Sequence, residues 1–377
     1  MKTIAFFSGY SLPHLGGIEK YTKNLTDELL KEDYRIINVS SNYQFKDEYK
    51  FEKNNVLNLL IPVRHLFVGR YPIPIHNKVY KDIIKTLDKE KIDAIIVNTR
   101  FHLTTLVGVK YAKKHNIPVY LIEHGSQHLT VNNKVLDFLG AQYEHVLTKI
   151  VEKNVDYNYG VSKAACEWQK HFKIKSDGVW YNSINDFSKD VPLNKNKNGK
   201  INICYAGRII KQKGLDRLLE SFVELSKKYD NIVLNIAGDG EYLNELKKNY
   251  SEKNINFLGK LDFNQLKDLY SYTDIFVYAP IWPEGLPTSI LEAGLMKCAI
   301  IGSPQGGIKE VIDNEKNGLM INNEQELKEA LDRLISDSSL REKLSNRIYD
   351  TVKSNFLWSV TAKKIMHDIE KDNVYEK

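Results

Sequence analysis

Short apolar runs alternate with amphipathic stretches along almost the whole 377-residue chain. This alternation is typical of parallel strands covered by helices. The chain is too long for one ordinary core and long enough for two of roughly 150 to 200 residues. The alternation stalls around residues 179–185 and restarts near Ile201. The sequence therefore predicts an α/β protein with two Rossmann-like, doubly wound domains facing each other across a cleft.

The expected elements follow from this pattern. In the first half we expect strands at residues 4–8, 35–40, 94–98, 119–123 and 158–161, and helices at 19–30, 79–87 and 104–115. In the second half we expect strands at 201–206, 233–237, 255–258, 275–278 and 299–302, and helices at 216–228 and 264–272. We place the domains at residues 1–187 and 188–355, with a helix at 356–377 that could cross back to the first domain. The polar residues 192–200 are interpreted as an interdomain linker.

Composition is that of a globular protein, with 42% hydrophobic and 27% charged residues. No apolar run approaches the roughly 20 residues that span a bilayer. The first run ends at Ser8, too early for a signal peptide, so we expect a cytoplasmic protein. Cys166, Cys204 and Cys298 lie far apart in apolar segments, which favours small core residues over a metal site or disulfide framework.

Positive charge is concentrated in the first half. Residues 1–187 contain 26 Lys and Arg against 20 Asp and Glu, a net charge of +6. The rest of the chain contains 28 basic and 28 acidic residues and is neutral. Such a half could face an anionic acceptor or membrane leaflet, where each nearby Lys or Arg contributes roughly 1 kcal/mol. Ordinary surface variation is the alternative.

An apolar stripe with helical spacing occupies residues 131–155. Its members are Val135, Leu139, Tyr143, Val146 or Leu147, and Ile150. A stripe of this kind usually packs on its own core. With Lys134, Lys149 and Lys153 nearby, it could instead lie on a membrane surface.

The most informative motif is a pair of glutamates eight positions apart, Glu284 and Glu292. The run between them follows the expected strand at 275–278 and begins a helix. A helix start with the hydroxyls of Thr288 and Ser289 suits a phosphate ester. Carboxylates on either side would hold hydroxyl groups, so the motif predicts a site for a nucleotide-sugar.

A basic pair follows the expected strand at 201–206. Arg208 offers a planar fork to phosphate oxygens and Lys213 a compact charge, which together fit a pyrophosphate. The motif is weak alone, because basic residues in loops are commonly just solvated. The turn at residues 238–241 could approach the same ligand, although turn geometry alone would explain it.

Glycines and a histidine mark two strand ends in the first half. Gly16 and Gly17 permit positive φ and close approach of a phosphate or sugar, with a tight turn as the alternative. His124 follows the strand at 119–123 and could hydrogen-bond a substrate hydroxyl or a phosphate, unless it is structural. His128, four residues after His124, would form a metal-binding pair with it on a helix. Gly125 and Ser126 favour a loop instead, and no carboxylate-rich cluster is present in the sequence, so we expect no metal site.

Together these residues resemble the family 4 glycosyltransferases, enzymes of the GT-B fold that use activated sugar nucleotides. The likeness covers most of the chain. It is carried in order by Gly16 and Gly17, by Gly207, Arg208, Lys213 and Gly214, and by Glu284 and Glu292. The run at 181–185 departs from relatives, because Ser183 stands where they commonly have glycine.

The resemblance implies a role for each residue. Glu292 would hold the ribose, Glu284 the donor sugar, and Arg208 with Lys213 the diphosphate. The loop and helix start would support the same phosphates through Gly285, Leu286, Thr288 and Ser289, and His124 would contact the donor sugar. Similar enzymes retain the anomeric configuration and need no metal or other cofactor. Their leaving diphosphate helps to take the acceptor's proton, so no separate general base is implied.

The predicted function is retaining transfer of a hexose, most commonly from a UDP-sugar, to a glycan or polyprenyl-linked saccharide in surface polysaccharide biosynthesis. No nucleic acid partner is expected, and a peripheral position at the inner face of the plasma membrane is consistent with the charge. Two alternatives stay open. One is a GT-B epimerase or phosphorylase, and the other is a sugar-nucleotide-binding protein without catalysis.

Overall fold

The computed structural model describes residues 1–11, 14, 16–44, 47–66, 71–128, 133–195, 199–282 and 285–375. Glu284 therefore lies outside the described residues. The chain divides into two compact units, one made of Met1–Asn182 with Thr361–Lys377 and the other of Ser183–Val360. None of the described helices is long and apolar enough to cross a bilayer.

The first unit is built on an eight-stranded sheet in the order β10-β9-β8-β7-β1-β2-β4-β3, parallel except for β3. Its strands are β1 (Lys2–Phe7), β2 (Tyr34–Ser41), β3 (Lys50–Lys53), β4 (Val56–Ile61), β7 (Ala94–Asn98), β8 (Val119–Glu123), β9 (Tyr157–Gly160) and β10 (Gly178–Val179), and β5 (Val63–Leu66) and β6 (Tyr71–Pro74) form a separate antiparallel pair. The central strands β1, β7 and β8 are buried almost throughout, as expected for parallel strands covered on both faces.

Five helices complete most of the first unit. They are α1 (Gly17–Lys31), α2 (Lys78–Leu87), α3 (Leu103–His115), α4 (Lys134–Glu152) and α5 (Lys163–Gln169). Local sequence explains several helix starts, because the side chains of Asn77, Asn133 and Ser162 accept hydrogen bonds from the first turns of α2, α4 and α5. The core joins apolar residues of β1, β2, β4, β7 and β8 to α2, α3 and α4.

The second unit contains a six-stranded parallel sheet in the order β13-β12-β11-β14-β15-β16. Its strands are β11 (Ile201–Ala206), β12 (Ile232–Ala237), β13 (Ile255–Gly259), β14 (Ile275–Tyr278), β15 (Ala299–Gly302) and β16 (Leu319–Met320). Its helices are α6 (Leu215–Ser226), α7 (Leu243–Asn249), α8 (Phe263–Tyr272), α9 (Thr288–Leu295), α10 (Ile308–Val311), α11 (Glu324–Ser336) and α12 (Ser338–Asn355). The strand order reverses between β11 and β14, which is where open α/β sheets bind ligands.

The last helix, α13 (Trp358–Tyr375), returns the chain to the first unit. The indole Nε1 of Trp180 donates to Asp368 at 2.8 Å, and Lys2 pairs with Glu370 at 2.8 Å. Ile365 on the same helix is fully buried. The first unit is thus assembled from two separate parts of the sequence.

The observed unit boundaries differ from those expected at 187/188 and 355/356, because the chain around Ile184 is attached to the second unit. Ile184 pairs with Leu357, and Asp186 forms an ion pair with Lys353. The described part of residues 192–200, which were interpreted as an interdomain linker, lies within the second unit. Lys195 donates to the backbone carbonyls at the end of α8, well inside the second unit.

Candidate functional site

A cavity of about 690 Å³ opens at the carboxyl edge of the second unit's sheet. The turns after β11, β12 and β13 form one part of its wall, and helices α8 and α9 form the other. Its polar lining consists of Arg208, Asp239, Lys260, Tyr270, Thr288, Ser289 and Glu292. Four of the residues predicted from the sequence, Arg208, Thr288, Ser289 and Glu292, are thus brought together.

Close packing of two glycine turns sets the floor of this cavity. Gly238 has φ of 147°, and a Cβ there would overlap the carbonyl oxygen of Gly207. The amide of Gly207 donates to Ala237 at 3.0 Å, and a Cβ at Gly240 would overlap the carbonyl oxygen of Ile209. Only glycine fits here, because two backbones lie in direct contact.

Arg208 stands at the mouth of this glycine turn. Its side chain is exposed and lines the cavity, while its carbonyl accepts a hydrogen bond of 2.8 Å from the hydroxyl of Tyr205. The backbone is therefore fixed, and the guanidinium is presented to whatever occupies the cavity.

Lys213 has a different environment. It closes a 3₁₀ turn (Lys211–Lys213), is buried, and donates from Nζ to the hydroxyl of Tyr278 at 2.9 Å. The Tyr278 ring stacks on Tyr205 with centroids 5.9 Å apart, so Lys213 is linked through two tyrosines to the Arg208 turn. Among the described residues, Lys213 is not one of those that line the cavity.

The start of α9 faces the cavity with Thr288 and Ser289. The preceding Pro287 does not cap the helix through its side chain, so the amides of the first turn point towards the cavity end. One turn later, Glu292 accepts a hydrogen bond of 3.3 Å from the hydroxyl of Tyr270 on α8. Burial, followed by the charge of Glu292, raises the pKa of Tyr270 well above its ordinary value, and the hydroxyl therefore remains a donor.

The loop before α9 lies against the turn before α10. The carbonyl of Gly285 accepts from the amide of Gly307 at 3.1 Å, and Leu286 is buried. A Cβ at Gly307 would lie 2.9 Å from the Gly285 oxygen, so this approach also needs glycine. Neither Gly285 nor Leu286 is among the described residues that line the cavity.

His124 begins the loop after β8 in the first unit, and its Nε2 lies 2.8 Å from Oδ1 of Asn98. The Asn98 amide nitrogen donates to the hydroxyls of Ser8 and Thr22, which makes Oδ1 the acceptor and His124 Nε2 the donor. Burial, with a smaller contribution from His102, lowers the pKa of His124 to about 3. The imidazole is therefore neutral near pH 7, with its lone pair on Nδ1.

Gly16 and Gly17 occupy the start of α1, but neither has a positive φ. Gly16 is the extended N-cap residue, with φ of −146°. A Cβ at Gly16 would overlap the carboxylate of Glu19, whereas a Cβ at Gly17 would meet no atom within 4 Å. A larger residue at position 16 would therefore displace the Glu19 carboxylate, whereas the space beside Gly17 is open.

A second cavity, of about 470 Å³, lies in the first unit beside α1 and strands β2, β3 and β4. Its lining combines charged and amide side chains with the rings of Tyr10, Tyr43 and Phe51. Glu19 is buried there and bonds to His14 at 3.0 Å. Sequence reasoning missed this cavity, because its residues come from four elements and none of them forms a motif.

Only part of the stripe on α4 packs on the core, through Tyr143 and Leu147. Leu147 is buried, but four of its expected members are exposed, namely Val135 at 69%, Leu139 at 57%, Val146 at 61% and Ile150 at 43%. At 100° per residue these four fall within about 60° of one another around the helix. We call them the α4 apolar face.

Cavity residues that sequence reasoning missed include Tyr270, Lys260, Leu261 and Leu266. Lys260 and Leu261 follow β13, so the rule that directed attention to other strand ends could have found them. Tyr270 carries no such signal, because it is one aromatic residue on an amphipathic helix. Of the three cysteines, Cys204 and Cys298 are buried as expected, and Cys166 is partly exposed.

Comparison with known proteins identifies both halves. Residues 15–186 match the family model described as Glycosyltransferase Family 4, and residues 186–351 match the model described as Glycosyl transferases group 1. An uncharacterized glycosyltransferase of Methanocaldococcus jannaschii is 29% identical over 381 residues, covering 96% of each chain.

Solved structures show the same fold. The sucrose-phosphate synthase of Thermosynechococcus elongatus superposes with a TM-score of 0.75 at 16% identity, over 100% of both chains. Anabaena HepE, solved in complex with UDP, gives a TM-score of 0.71 at 15% identity, over 98% of this chain and 100% of that one. The predicted two-domain α/β fold of the GT-B type is confirmed.

Proposed function

This chain belongs to the glycosyltransferases of the group 1 and family 4 type, and we propose that it is a retaining hexosyltransferase that uses a nucleoside-diphosphate sugar. The observation that carries the proposal is the cavity of the second unit. There the guanidinium of Arg208, the first turn of α9 and the carboxylate of Glu292 meet around one space. A cation and a helix start suit phosphates, and a carboxylate suits vicinal hydroxyls.

We assign the diphosphate to Arg208 and the start of α9, including Thr288 and Ser289. The ribose is assigned to Glu292, which the Tyr270 hydroxyl holds in place. Lys213 supports the same diphosphate, either directly after a rotamer change or through its hydrogen bond to Tyr278. Glu284 is assigned to the donor sugar, the role that the resemblance to family 4 glycosyltransferases implies.

The proposed reaction breaks the bond between the anomeric carbon and the leaving phosphate oxygen and forms a bond from the acceptor oxygen on the same face. The acceptor's proton passes to the departing diphosphate. Arg208 stabilises the negative charge that grows on this diphosphate, which is the kind of electrostatic stabilisation that most lowers a barrier. No metal is assigned to the step, because protein cations are proposed to supply the positive charge.

His124 is assigned to a hydroxyl of the donor sugar. Its Nδ1 is a neutral acceptor, since Nε2 donates to Asn98 and the pKa is about 3. A neutral acceptor can receive a hydrogen bond from a sugar hydroxyl, whereas an ionised phosphate has no proton to donate. Of the two partners expected for His124 from the sequence, we therefore propose the hydroxyl. Gly16 and Gly17 are proposed to leave room for the same substrate at the start of α1.

UDP is the proposed nucleotide. HepE was solved with UDP and with UDP-glucose, and it shares the fold of this chain. The proposed roles of Glu292 at the ribose and Glu284 at the donor hexose can be tested separately. UDP contains the ribose but lacks the hexose, so only the loss of Glu292 should affect the binding of UDP alone.

Glu292→Ala is expected to weaken binding of UDP by about 10- to 100-fold, since a hydrogen bond to a charged group contributes about 1.5–3 kcal/mol. Glu284→Ala should leave UDP binding within about threefold of wild type and weaken only the UDP-sugar. Calorimetry with UDP and UDP-glucose measures both effects, and GDP and ADP test the base. Equal losses, or a larger loss in Glu284→Ala with UDP, would contradict the assignment.

We propose a lipid-linked saccharide as the acceptor and a peripheral position at the inner leaflet. The α4 apolar face lies exposed beside the exposed lysines Lys134, Lys149 and Lys153, a combination typical of helices that lie in a membrane interface. The net charge of +6 in residues 1–187 has the sign that anionic lipids attract. The polar and aromatic cavity beside α1 offers a separate place for saccharide hydroxyls.

Wild-type protein is expected to bind vesicles containing anionic lipid, and Leu139→Glu with Val146→Glu should reduce the bound fraction by at least about tenfold. The reason is that two carboxylates would enter the interface in place of apolar side chains. Vesicle co-sedimentation at two salt concentrations measures this. Leu258→Glu, at an exposed leucine of the second unit, is the matched control. Equal binding to neutral and anionic vesicles would contradict the role of charge.

A further inference from the structure

Three histidines of the first unit converge at one point, and none of them is among the residues assigned above. His128 lies in the loop after β8, His145 lies on α4, and His171 lies in a 3₁₀ turn (Lys170–Phe172) after α5. One ring nitrogen from each lies within 4.8 Å of the other two. Nε2 of His171 is 3.2 Å from Nε2 of His128 and also 3.2 Å from Nε2 of His145.

Hydrogen bonding alone does not account for this arrangement. A ring nitrogen of neutral imidazole either donates one proton or accepts with one in-plane lone pair. Nε2 of His171 therefore cannot form good hydrogen bonds with both neighbours at once. A tetrahedral Zn²⁺ with Zn–N bonds of roughly 2.0–2.1 Å places its nitrogen ligands about 3.3–3.4 Å apart, close to the two observed separations. We propose that His128, His145 and His171 bind Zn²⁺.

A buried carboxylate prepares His128 for this role. Its Nδ1 donates to Oε2 of Glu144 at 2.8 Å, which leaves the lone pair on Nε2, the atom that faces the other two histidines. Glu144 is itself held by Arg100 at 2.8 Å, and both side chains are 1% exposed. A carboxylate behind a metal-binding histidine fixes its tautomer and ring orientation and raises its basicity.

An aromatic wall fixes the other rings. Trp168 stacks on His171 with centroids 4.7 Å apart and an interplanar angle of 6°, and its ring meets the edge of His128 at 5.0 Å. Phe172 packs against His145 at 4.8 Å. His171 remains exposed, so an ion can enter from solvent and a water molecule can complete the tetrahedron.

The choice of ion follows from the ligands. Three imidazoles favour Zn²⁺ and its late transition-metal neighbours over Mg²⁺ or Ca²⁺, which prefer oxygen ligands. The ion would join three chain segments, the loop after β8, α4 and the turn after α5. Its expected effect is to stabilise the first unit, and it takes no part in the proposed transfer, so this inference does not depend on the proposed function.

The test is calorimetric titration of untagged, chelator-treated full-length protein with ZnCl₂. We expect one equivalent of binding in wild type, and a loss of affinity of about 100-fold or more in His171→Ala and in His145→Ala. His76→Ala, an exposed histidine elsewhere in the first unit, is the matched control and should bind like wild type. Titration with Co²⁺ should give the intense visible absorption of a four-coordinate ion in wild type and His76→Ala, and not in His171→Ala or His145→Ala.

A second measurement guards against variants that fail to fold. Zn²⁺ at 100 times its dissociation constant should raise the Tm of wild type by roughly 5–10 °C and leave His171→Ala unchanged, while circular dichroism shows both to be folded without metal. Absence of a one-equivalent transition in wild type would overturn the proposal. So would unchanged Zn²⁺ affinity in folded His171→Ala, since the metal would then bind elsewhere.

Discussion

Replacing Arg208 by alanine is expected to lower kcat by about 10²- to 10³-fold, the size of effect seen when one preorganised charge-stabilising group is removed. The physical reason is that negative charge grows on the leaving diphosphate as the glycosidic bond breaks, and Arg208 is the basic side chain at the end of β11 that lines the cavity. Arg208→Lys should recover part of the rate, because an ammonium supplies the charge without the planar fork.

UDP release from a UDP-hexose, with the acceptor that gives the highest wild-type rate, measures this effect. Lys211→Ala is the matched control, because Lys211 lies three residues away, is exposed and is 3.8 Å from Glu245. It should turn over at the wild-type rate. The kcat of Lys213→Ala is expected to be lowered as well as that of Arg208→Ala. Near-normal turnover in both variants would contradict the assignment of the diphosphate to these residues.

Arg100→Met is expected to lower the free energy of unfolding by about 3–5 kcal/mol, the range for removing one partner of a buried ion pair. Arg100 pairs with Glu123 and Glu144, and all three side chains are at most 1% exposed. Its guanidinium also lies 3.9 Å from the Phe172 ring centroid. Loss of the cation would leave the carboxylates of Glu123 and Glu144 buried without this partner.

Urea unfolding in the presence of a chelator measures this loss. Arg35→Met is the matched control in the same unit, because Arg35 pairs with Glu90 but is 28% exposed, and it should cost about 1 kcal/mol or less. The combined variant Arg100→Met, Glu123→Leu, Glu144→Leu should recover part of the stability, since it removes all three members of this buried charge cluster. If Arg100→Met lowers the free energy of unfolding no more than Arg35→Met does, the buried ion pairs of Arg100 do not contribute the expected stability.

Buried parallel strands were the most predictable part of the fold. Their two faces are both covered, so they appear in the sequence as continuous apolar runs. Five expected strands coincide with β7, β8, β11, β14 and β15 to the residue. The strands between residues 50 and 74 were not predicted, although β4 is parallel, largely buried and apolar apart from Asn58. β3 lies at the antiparallel edge of its sheet with most of its residues exposed, so it has no apolar run to mark it.

The candidate site was predictable as far as strand ends and helix starts define it. Arg208, Thr288, Ser289 and Glu292 meet at one cavity because parallel strands end at the same edge. The burial of Lys213 was not predictable, since it depends on Tyr278 from a neighbouring strand.

The histidine cluster was missed for a related reason. His128 was considered only with close neighbours in sequence, whereas its two partners lie 17 and 43 residues further along the chain. Side chains that converge from three elements leave no spacing pattern, because the tertiary fold alone sets their distances.

The return of α13 to the first unit has a consequence for synthesis on the ribosome. Trp180 and Lys2 find their partners, Asp368 and Glu370, only when almost the whole chain has been translated. The second unit is continuous in sequence, so it can complete its folding while the first still lacks a helix. A nascent chain released early would therefore expose the surface that α13 covers, and quality-control proteases could recognise it there.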